Sequence, residues 1–276
     1  MQGRLHPPKK GAYQEFPGLS SAFKEIGTAS SLGFSHIELI ADKHSENFLC
    51  TEPWPFYANV RKDIEKFVQT GNEKDVTFPS ICADIFMEDL IIEKNKKTLE
   101  YLMYLINYAR MVGTTYIVLP FVDKSSLSSK DIPKLRDILL TALNYAKTKY
   151  VYFCLETDLE PKEFLFLIKK LNHPNIRVNY DTGNSASLGY DIDEEFKIYG
   201  KYITSIHIKD RKLKGSSVEL GTGNVDWKKF FSNLRKIKFK GVMTMQAARA
   251  IEDESEISVV KNQLETFLKF EEQYGS

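Results

Sequence analysis

Strand-sized apolar runs alternate with helical stripes along the whole chain, and this alternation restricts the fold more than any other feature. The runs lie at Met1–Leu5, His36–Ile40, Val76–Cys82, Tyr116–Leu119, Val151–Leu155, Ile176–Tyr180, Tyr202–Ile208 and Val242–Met245. Between them, Leu99, Leu102, Ile106 and Ala109 recur at helical spacing, as do Ile257, Val260, Leu264 and Phe267, so each set forms one face of a helix. Helix-start residues agree: Asp131 precedes Pro133, Pro161 sits in a first turn, and Ser255 precedes the last stripe. Most of the runs are apolar without alternation, as in a parallel sheet covered on both faces. Eight strand–helix units in 276 residues average about 34 residues each, the size of a βαβ repeat. Eight such units close most naturally into a (β/α)8 TIM barrel. The expectation is therefore a single α/β domain over residues 1–276, with an open doubly wound sheet as the alternative.

Composition narrows the function classes. The 38 Lys+Arg and 37 Asp+Glu leave a formal charge of +1, which argues against a nucleic-acid partner bound through its phosphates. Cys50, Cys82 and Cys154 are widely spaced, so neither a disulfide framework nor a structural zinc site is expected. No run approaches the ~18 apolar residues of a membrane span, and Met1–Leu5 lacks an apolar leader. The chain reads as cytoplasmic, with no membrane partner.

In a barrel, catalytic groups gather where strands end. Here the ends read Leu155-Glu156, Tyr180-Asp181, His207 within its run, and Met245-Gln246. Four consecutive strands thus bring two carboxylates, an imidazole and an amide oxygen to one rim, a set suited to Mn2+, Mg2+, Co2+ or Zn2+. Singly, each residue has a plainer account: His207 as a hydrogen-bonded core residue, Glu156 as a cap or ion-pair partner, Asp181 as a turn residue. Their regular placement favours a metal site.

The segments Leu155-Glu156, Asp181-Thr-Gly-Asn184, His207-Ile-Lys-Asp210-Arg211 and Gly221-Thr-Gly223 resemble, in that order, the xylose-isomerase-like barrel family. That family includes sugar-phosphate isomerases and epimerases, ketose 3-epimerases and hydroxypyruvate isomerase. The opening Gln2-Gly-Arg4-Leu5 followed by Pro7-Pro8 resembles one of its branches. The resemblance implies one divalent ion held by Glu156, Asp181, His207 and position 246, with Glu156 doubling as an acid/base group. It also implies an isomerase or epimerase acting on a ketose or sugar phosphate through an enediolate. The family's epimerases carry glutamate at the last ligand position, whereas this chain has Gln246. An amide oxygen can coordinate a cation but cannot take a proton. Either Glu156 runs a one-base isomerisation, or Asp84, Asp210 or Glu38 replaces the missing carboxylate. A third reading is a sugar-binding barrel without turnover. A metal-dependent phosphodiesterase, as in another branch of the fold, is disfavoured by five scattered histidines.

Substrate contacts are expected from the loops after the strands. Arg211, Gly221, Gly223 and Arg249 could build an anion site, with the glycine amides approaching an oxyanion and Asp226 starting the next helix. Arg4 is a second candidate anion contact, and Lys209 and Asp210 flank His207. Asn184 could bond sugar hydroxyls, as could Asp84 at its strand end. Trp54, between Pro53 and Pro55 in a long connection, could wall the sugar or simply pack on its own loop. Pairing of exposed helices such as Asp131–Lys149 would make a homo-oligomer.

Overall fold

The computed structural model describes residues 1–5, 19–41, 58–88, 95–128, 130–250 and 255–275. Trp54 lies outside them. Among the described residues, seven parallel strands form one sheet in the order in which they occur: β1 (Leu39–Ile40), β2 (Ser80–Cys82), β3 (Tyr116–Phe121), β4 (Tyr152–Thr157), β5 (Ile176–Asp181), β6 (Ile203–Ile208) and, two short strands later in the chain, β9 (Val242–Met245). A doubly wound sheet reverses its strand order at a switch point; this one never does, which removes the doubly wound alternative.

The eighth expected strand, Met1–Leu5, is not a regular strand. It nevertheless reaches both edges of the sheet: Glu38 N–H donates to Met1 O at 2.8 Å, and Gln2 N–H donates to Met245 O at 3.1 Å. The architecture is α/β and barrel-like, with seven regular strands rather than the eight expected. Gly3, at φ +50°, provides a left-handed turn in the linking segment that a side chain would disfavour.

The connecting helices include α1 (Leu19–Ser31), α2 (Ala58–Glu73), α4 (Asn95–Val112), α5 (Ile132–Thr148), α6 (Pro161–Leu171), α8 (Ile192–Tyr199), α9 (Trp227–Lys236) and α10 (Glu256–Tyr274), with short α3 (Ile85–Glu88) and α7 (Thr182–Leu188) at strand ends. Pro161 opens α6, and the side chain of Asp226 caps α9 by accepting from Lys229 N–H at 2.9 Å, as the sequence suggests. On α4 the stripe holds: Leu102, Ile106 and Ala109 are fully buried. On α10, Val260 is fully buried and Leu264 and Phe267 pack against the core, whereas Ile257, at the start of the helix, is 42% exposed.

Alternate strand residues point to opposite faces, and the two faces differ in chemistry. Ile81, Ile117, Leu119, Phe153, Leu155, Val178, Ile206 and Ile208 join the large cluster completed by the helices. Cys82, Val118 and Cys154, cross-strand neighbours on β2, β3 and β4, form a separate small cluster on which Tyr116 packs. The face bearing Cys154 therefore also bears Tyr152 and Glu156. At its lower end the Arg177 guanidinium lies over the Tyr152 ring at 4.7 Å. At its upper end stand the polar groups described below.

Beyond β6, the connection that carries Arg211 contains a small antiparallel hairpin, β7 (Asp210–Arg211) with β8 (Ser217–Val218). No helix among the described residues is long and apolar enough to cross a membrane.

Candidate metal centre

Glu156, Asp181 and His207 come from the ends of three consecutive strands, and each offers one ligand atom within 4.8 Å of the others'. All three are buried. Register explains the convergence, since Asp181 pairs with His207 across β5 and β6, and Glu156 is the penultimate residue of the neighbouring strand β4. His207 Nδ1 lies 3.2 Å from Glu156 Oε2 and 3.8 Å from Asp181 Oδ2. Its other ring nitrogen, Nε2, lies 2.8 Å from Glu38 Oε1, which orients the ring from behind. A carboxylate behind the imidazole is the arrangement that fixes the tautomer of a metal-binding histidine.

The electrostatics are those of a cation site. Burial pulls the His207 pKa down, but the Glu38 and Glu156 carboxylates outweigh it and raise the value to about 10. Burial likewise pushes the Asp181 carboxyl up, and the Lys209 ammonium and His207 outweigh that to hold it below its ordinary range. Glu38 is also held low, because His207 outweighs the cost of its burial. Lys209 Nζ sits 2.8 Å from Asp181 Oδ2. Buried carboxylates are stable only beside positive charge; here an imidazolium and an ammonium supply it, and a divalent ion could take over that role with release of the imidazole proton.

The Asp181-Thr-Gly-Asn184 turn has a task for every residue. Asp181 Oδ1 accepts the Asn184 N–H at 2.8 Å and caps α7. Thr182 Oγ1 donates to Lys209 O at 2.5 Å and accepts from Lys209 N at 3.0 Å, tying the turn to the end of β6. Gly183 leaves room for neighbours: a Cβ there would meet the Lys209 side chain at 2.8 Å and that of Arg211 at 3.1 Å. Asn184 Nδ2 donates to Glu156 Oε1 at 2.9 Å. Behind this turn, buried Glu195 accepts from Tyr180 OH at 3.0 Å and Tyr199 OH at 2.6 Å.

Other expected residues take different places. Gln246 follows β9 directly, and its backbone N–H donates to Ile208 O at 3.0 Å. Its Nε2 donates to Gln2 Oε1, and its Oε1 is buried without a hydrogen-bond partner. An amide oxygen left over in this way suits a fourth ligand. Asp210 is fully buried and accepts N–H bonds from Gly221 at 2.9 Å, Gly223 at 3.1 Å and Val225 at 3.2 Å. The glycine amides expected to cradle an anion are thus donated to Asp210 instead, and Asp210 is a loop anchor rather than a spare acid. A Cβ on Gly223 would collide with the Asp210 carboxylate, which is why glycine stands there. Asp84 is buried beside the Cys82 thiol, which burial, with the Asp84 and Glu38 charges added, raises well above its usual range. Arg4 is fully buried, and its Nε donates to Ala247 O at 2.9 Å; Arg249 pairs with Glu256 at 3.4 Å. Both arginines brace the chain ends around β9. Arg211 remains half-buried at the rim.

Sequence reasoning passed over Asn179. Its Nδ2 donates to Glu156 Oε2 at 2.8 Å. The available signal was an amide two residues before Asp181, hence on the same strand face. Gln2 was read only as part of a motif, and Glu38 as a possible acid rather than the group behind His207.

A barrel-like α/β sheet with a His/Glu/Asp cluster at the C-terminal ends of its strands defines a class of metal-capable barrels. Within that class, the chain belongs to the xylose isomerase-like TIM barrel family, which matches residues 26–264. It is 24% identical over 259 residues to a putative L-ribulose-5-phosphate 3-epimerase of Haemophilus influenzae, covering 86% of this chain and 88% of that protein. The crystal structure of a xylose isomerase domain protein from Planctomyces limnophilus superposes with a TM-score of 0.75 at 19% identity, over 90% of this chain and 93% of that one. A structure of the IOLI protein with a bound zinc atom gives 0.74 at 16% identity, over 91% and 93%. These structural likenesses speak to the fold.

Proposed function

We propose that this protein is a divalent-metal-dependent isomerase or epimerase that moves a proton beside the carbonyl of a ketose or sugar phosphate. The observation that carries the reading is the convergence of Glu156, Asp181 and His207 within 4.8 Å in a family that contains such enzymes. Glu156, Asp181, His207 and the Gln246 amide oxygen would hold Mn2+, Mg2+, Co2+ or Zn2+. The ion would supply Lewis-acid polarisation of the carbonyl and its neighbouring hydroxyl, acidifying the proton between them. Glu156 would remove that proton and return it. Asn179 and Asn184 leave its carboxylate oxygens with further lone pairs for that work. Lys209, whose Nζ reaches Asp181 Oδ2, would bind an oxygen of the substrate. The reading takes Met1–Leu5 as the eighth stave that completes the barrel beneath this rim.

Gln246 favours transfer on one face of the sugar over two-base epimerisation. The three acids that could replace a second carboxylate are engaged elsewhere: Glu38 with His207, Asp210 with three amides, Asp84 with the Cys82 thiol. A sugar-binding barrel without turnover is the second reading, and the amide at position 246 is what favours it. The cluster contains one histidine, which gives a histidine-rich phosphodiesterase centre no support.

The decisive experiment is deuterium wash-in. Mn2+-loaded protein is incubated in D2O with ketoses and ketose phosphates, and the products are read by mass spectrometry and by product analysis. Metal-dependent label at a carbon beside the carbonyl, with formation of an isomer, is the expected result. Absence of both label and product in metal-loaded protein across the panel would transfer support to the binding reading.

A further inference from the structure

Asn184 touches three charged groups at once. Its backbone N–H donates to Asp181 Oδ1 at 2.8 Å, its Nδ2 donates to Glu156 Oε1 at 2.9 Å, and its Oδ1 accepts from Arg211 Nη1 at 2.9 Å. The two ends of the side-chain amide cannot be exchanged. A guanidinium only donates and an ionised carboxylate only accepts, so the neighbours fix which end is oxygen. Arg211 in turn is held by Nε donating to Gly215 O at 3.0 Å, within the β7–β8 hairpin. That hairpin is anchored by Asp210 through the amides of Gly221, Gly223 and Val225. A continuous chain of hydrogen bonds therefore runs from a half-buried rim arginine to the buried carboxylate that the proposed reaction uses.

We infer that Arg211 is a positioning residue acting on Glu156 through Asn184, so that the rim hairpin sets the orientation of the catalytic carboxylate. The inference rests on the metal-dependent reading above and adds to it a device outside the ligand set. A guanidinium on the oxygen of an amide polarises its N–H toward the carboxylate, because hydrogen bonds in a chain reinforce one another in a low dielectric. Two amide donors, Asn179 on Oε2 and Asn184 on Oε1, then hold the carboxylate plane from both sides. Removing Arg211 leaves Asn184 free to turn its amide, and a turned amide presents oxygen to Glu156. That contact repels, and the carboxylate must rotate away from it. Arg211 reaches Glu156 only through Asn184, so its effect should fall on the chemical step and on the ligand field, with less effect on substrate affinity.

The test compares wild type with Arg211→Ala, Arg211→Lys and Asn184→Ala, each loaded with Co2+. The visible spectrum of Co2+ reports the arrangement of its ligands whether or not the protein turns over. Wash-in with the best substrate then gives kcat and KM. In Arg211→Ala we expect a melting curve close to wild type, a changed Co2+ spectrum, and kcat lower by about 10- to 100-fold, the usual cost of disturbing a partner of a metal ligand, with KM nearly constant. Arg211→Lys, which keeps a donor, should restore part of both signals, and Asn184→Ala should reproduce Arg211→Ala. A wild-type Co2+ spectrum unchanged in Arg211→Ala would overturn the relay while leaving the metal-dependent reading intact. So would a raised KM with unchanged kcat, which would make Arg211 a direct substrate contact. Failure of the wild type to bind Co2+ at all would overturn the metal-dependent reading and the relay with it.

Discussion

The two halves of the sheet make different contributions to the centre. The half from β4 to β9 brings Glu156, Asp181 and His207, whose ligand atoms converge, and places Gln246 directly after β9, the strand paired with β6. The half made of residues 1–5 and β1 to β3 brings groups that touch those residues from outside the cluster: Glu38 bonds His207 Nε2, and Gln2 accepts from Gln246 Nε2. The strands are longest in the middle of the sheet, with six residues in each of β3, β4, β5 and β6, and shorter toward its edges, with two in β1, three in β2 and four in β9. One half supplies the ligands, and the other engages the second polar atoms of His207 and Gln246. This division matters because an imidazole or amide binds an ion well only when its second polar atom is already engaged.

The sharpest test of the division is His207→Ala. It removes the residue common to both halves, and we expect stoichiometric Mn2+ binding and label incorporation to disappear; calorimetry and wash-in check it. Full retention of either would place the centre elsewhere.

Asp210→Ala disturbs the ligand-bearing half without touching a ligand. It strands three backbone N–H groups, and at about 1 kcal/mol for each net hydrogen bond it should cost on the order of 3 kcal/mol in a urea unfolding series. A loss well under that would mean the hairpin loop holds without its anchor.

Glu38→Gln probes the orienting half. Fold and metal stoichiometry should survive, while Mn2+ affinity falls about 10- to 100-fold, as for other partners of metal-binding histidines. Unchanged affinity in a titration would show that His207 is oriented from its own strand alone.

The smallest expected effect belongs to Glu25, on α1. Burial, opposed by the N-terminal amine and Arg249, pushes its carboxyl up to about 7. Because the folded state holds this proton more tightly than the unfolded chain, its stabilising contribution is complete below about pH 4.5. It is lost as pH rises toward and through 7. Glu25→Gln should therefore gain on wild type as pH rises through that window, read from urea unfolding at a series of pH values. A gain confined to acid pH would contradict the assignment.

Much of this division can be read from the sequence, but unequally. Glu156, Asp181 and His207 are legible because Glu156 and Asp181 follow apolar runs and His207 lies near the end of one, so that three successive runs carry a ligand type at the same end. The Asp181-Thr-Gly-Asn184 turn announces itself by composition. The orienting partners do not. Glu38 sits in a run that also reads as an ordinary strand, and its partner is 169 residues away; Gln2 and Gln246 are 244 apart. The glycines at 221 and 223 mislead, since a pair of freed amides reads as an anion cradle until Asp210 is seen to accept both.

The order of apolar runs and helical stripes determined a parallel sheet with its helices outside, because burial on both faces and connection length are local properties of the chain. The polar residues at strand ends determined what chemistry could gather at one rim. Tertiary structure alone decided that, among the described residues, seven regular strands form the sheet while an irregular first segment bonds to both of its edges, and that Ile257 turns outward. It also decided which acids are engaged: Asp210 with amides, Glu38 with an imidazole, Glu156 between two asparagines. Hydrogen bonds at 2.8 to 3.2 Å depend on register and side-chain rotamer across distant strands, and no spacing along a single chain encodes them.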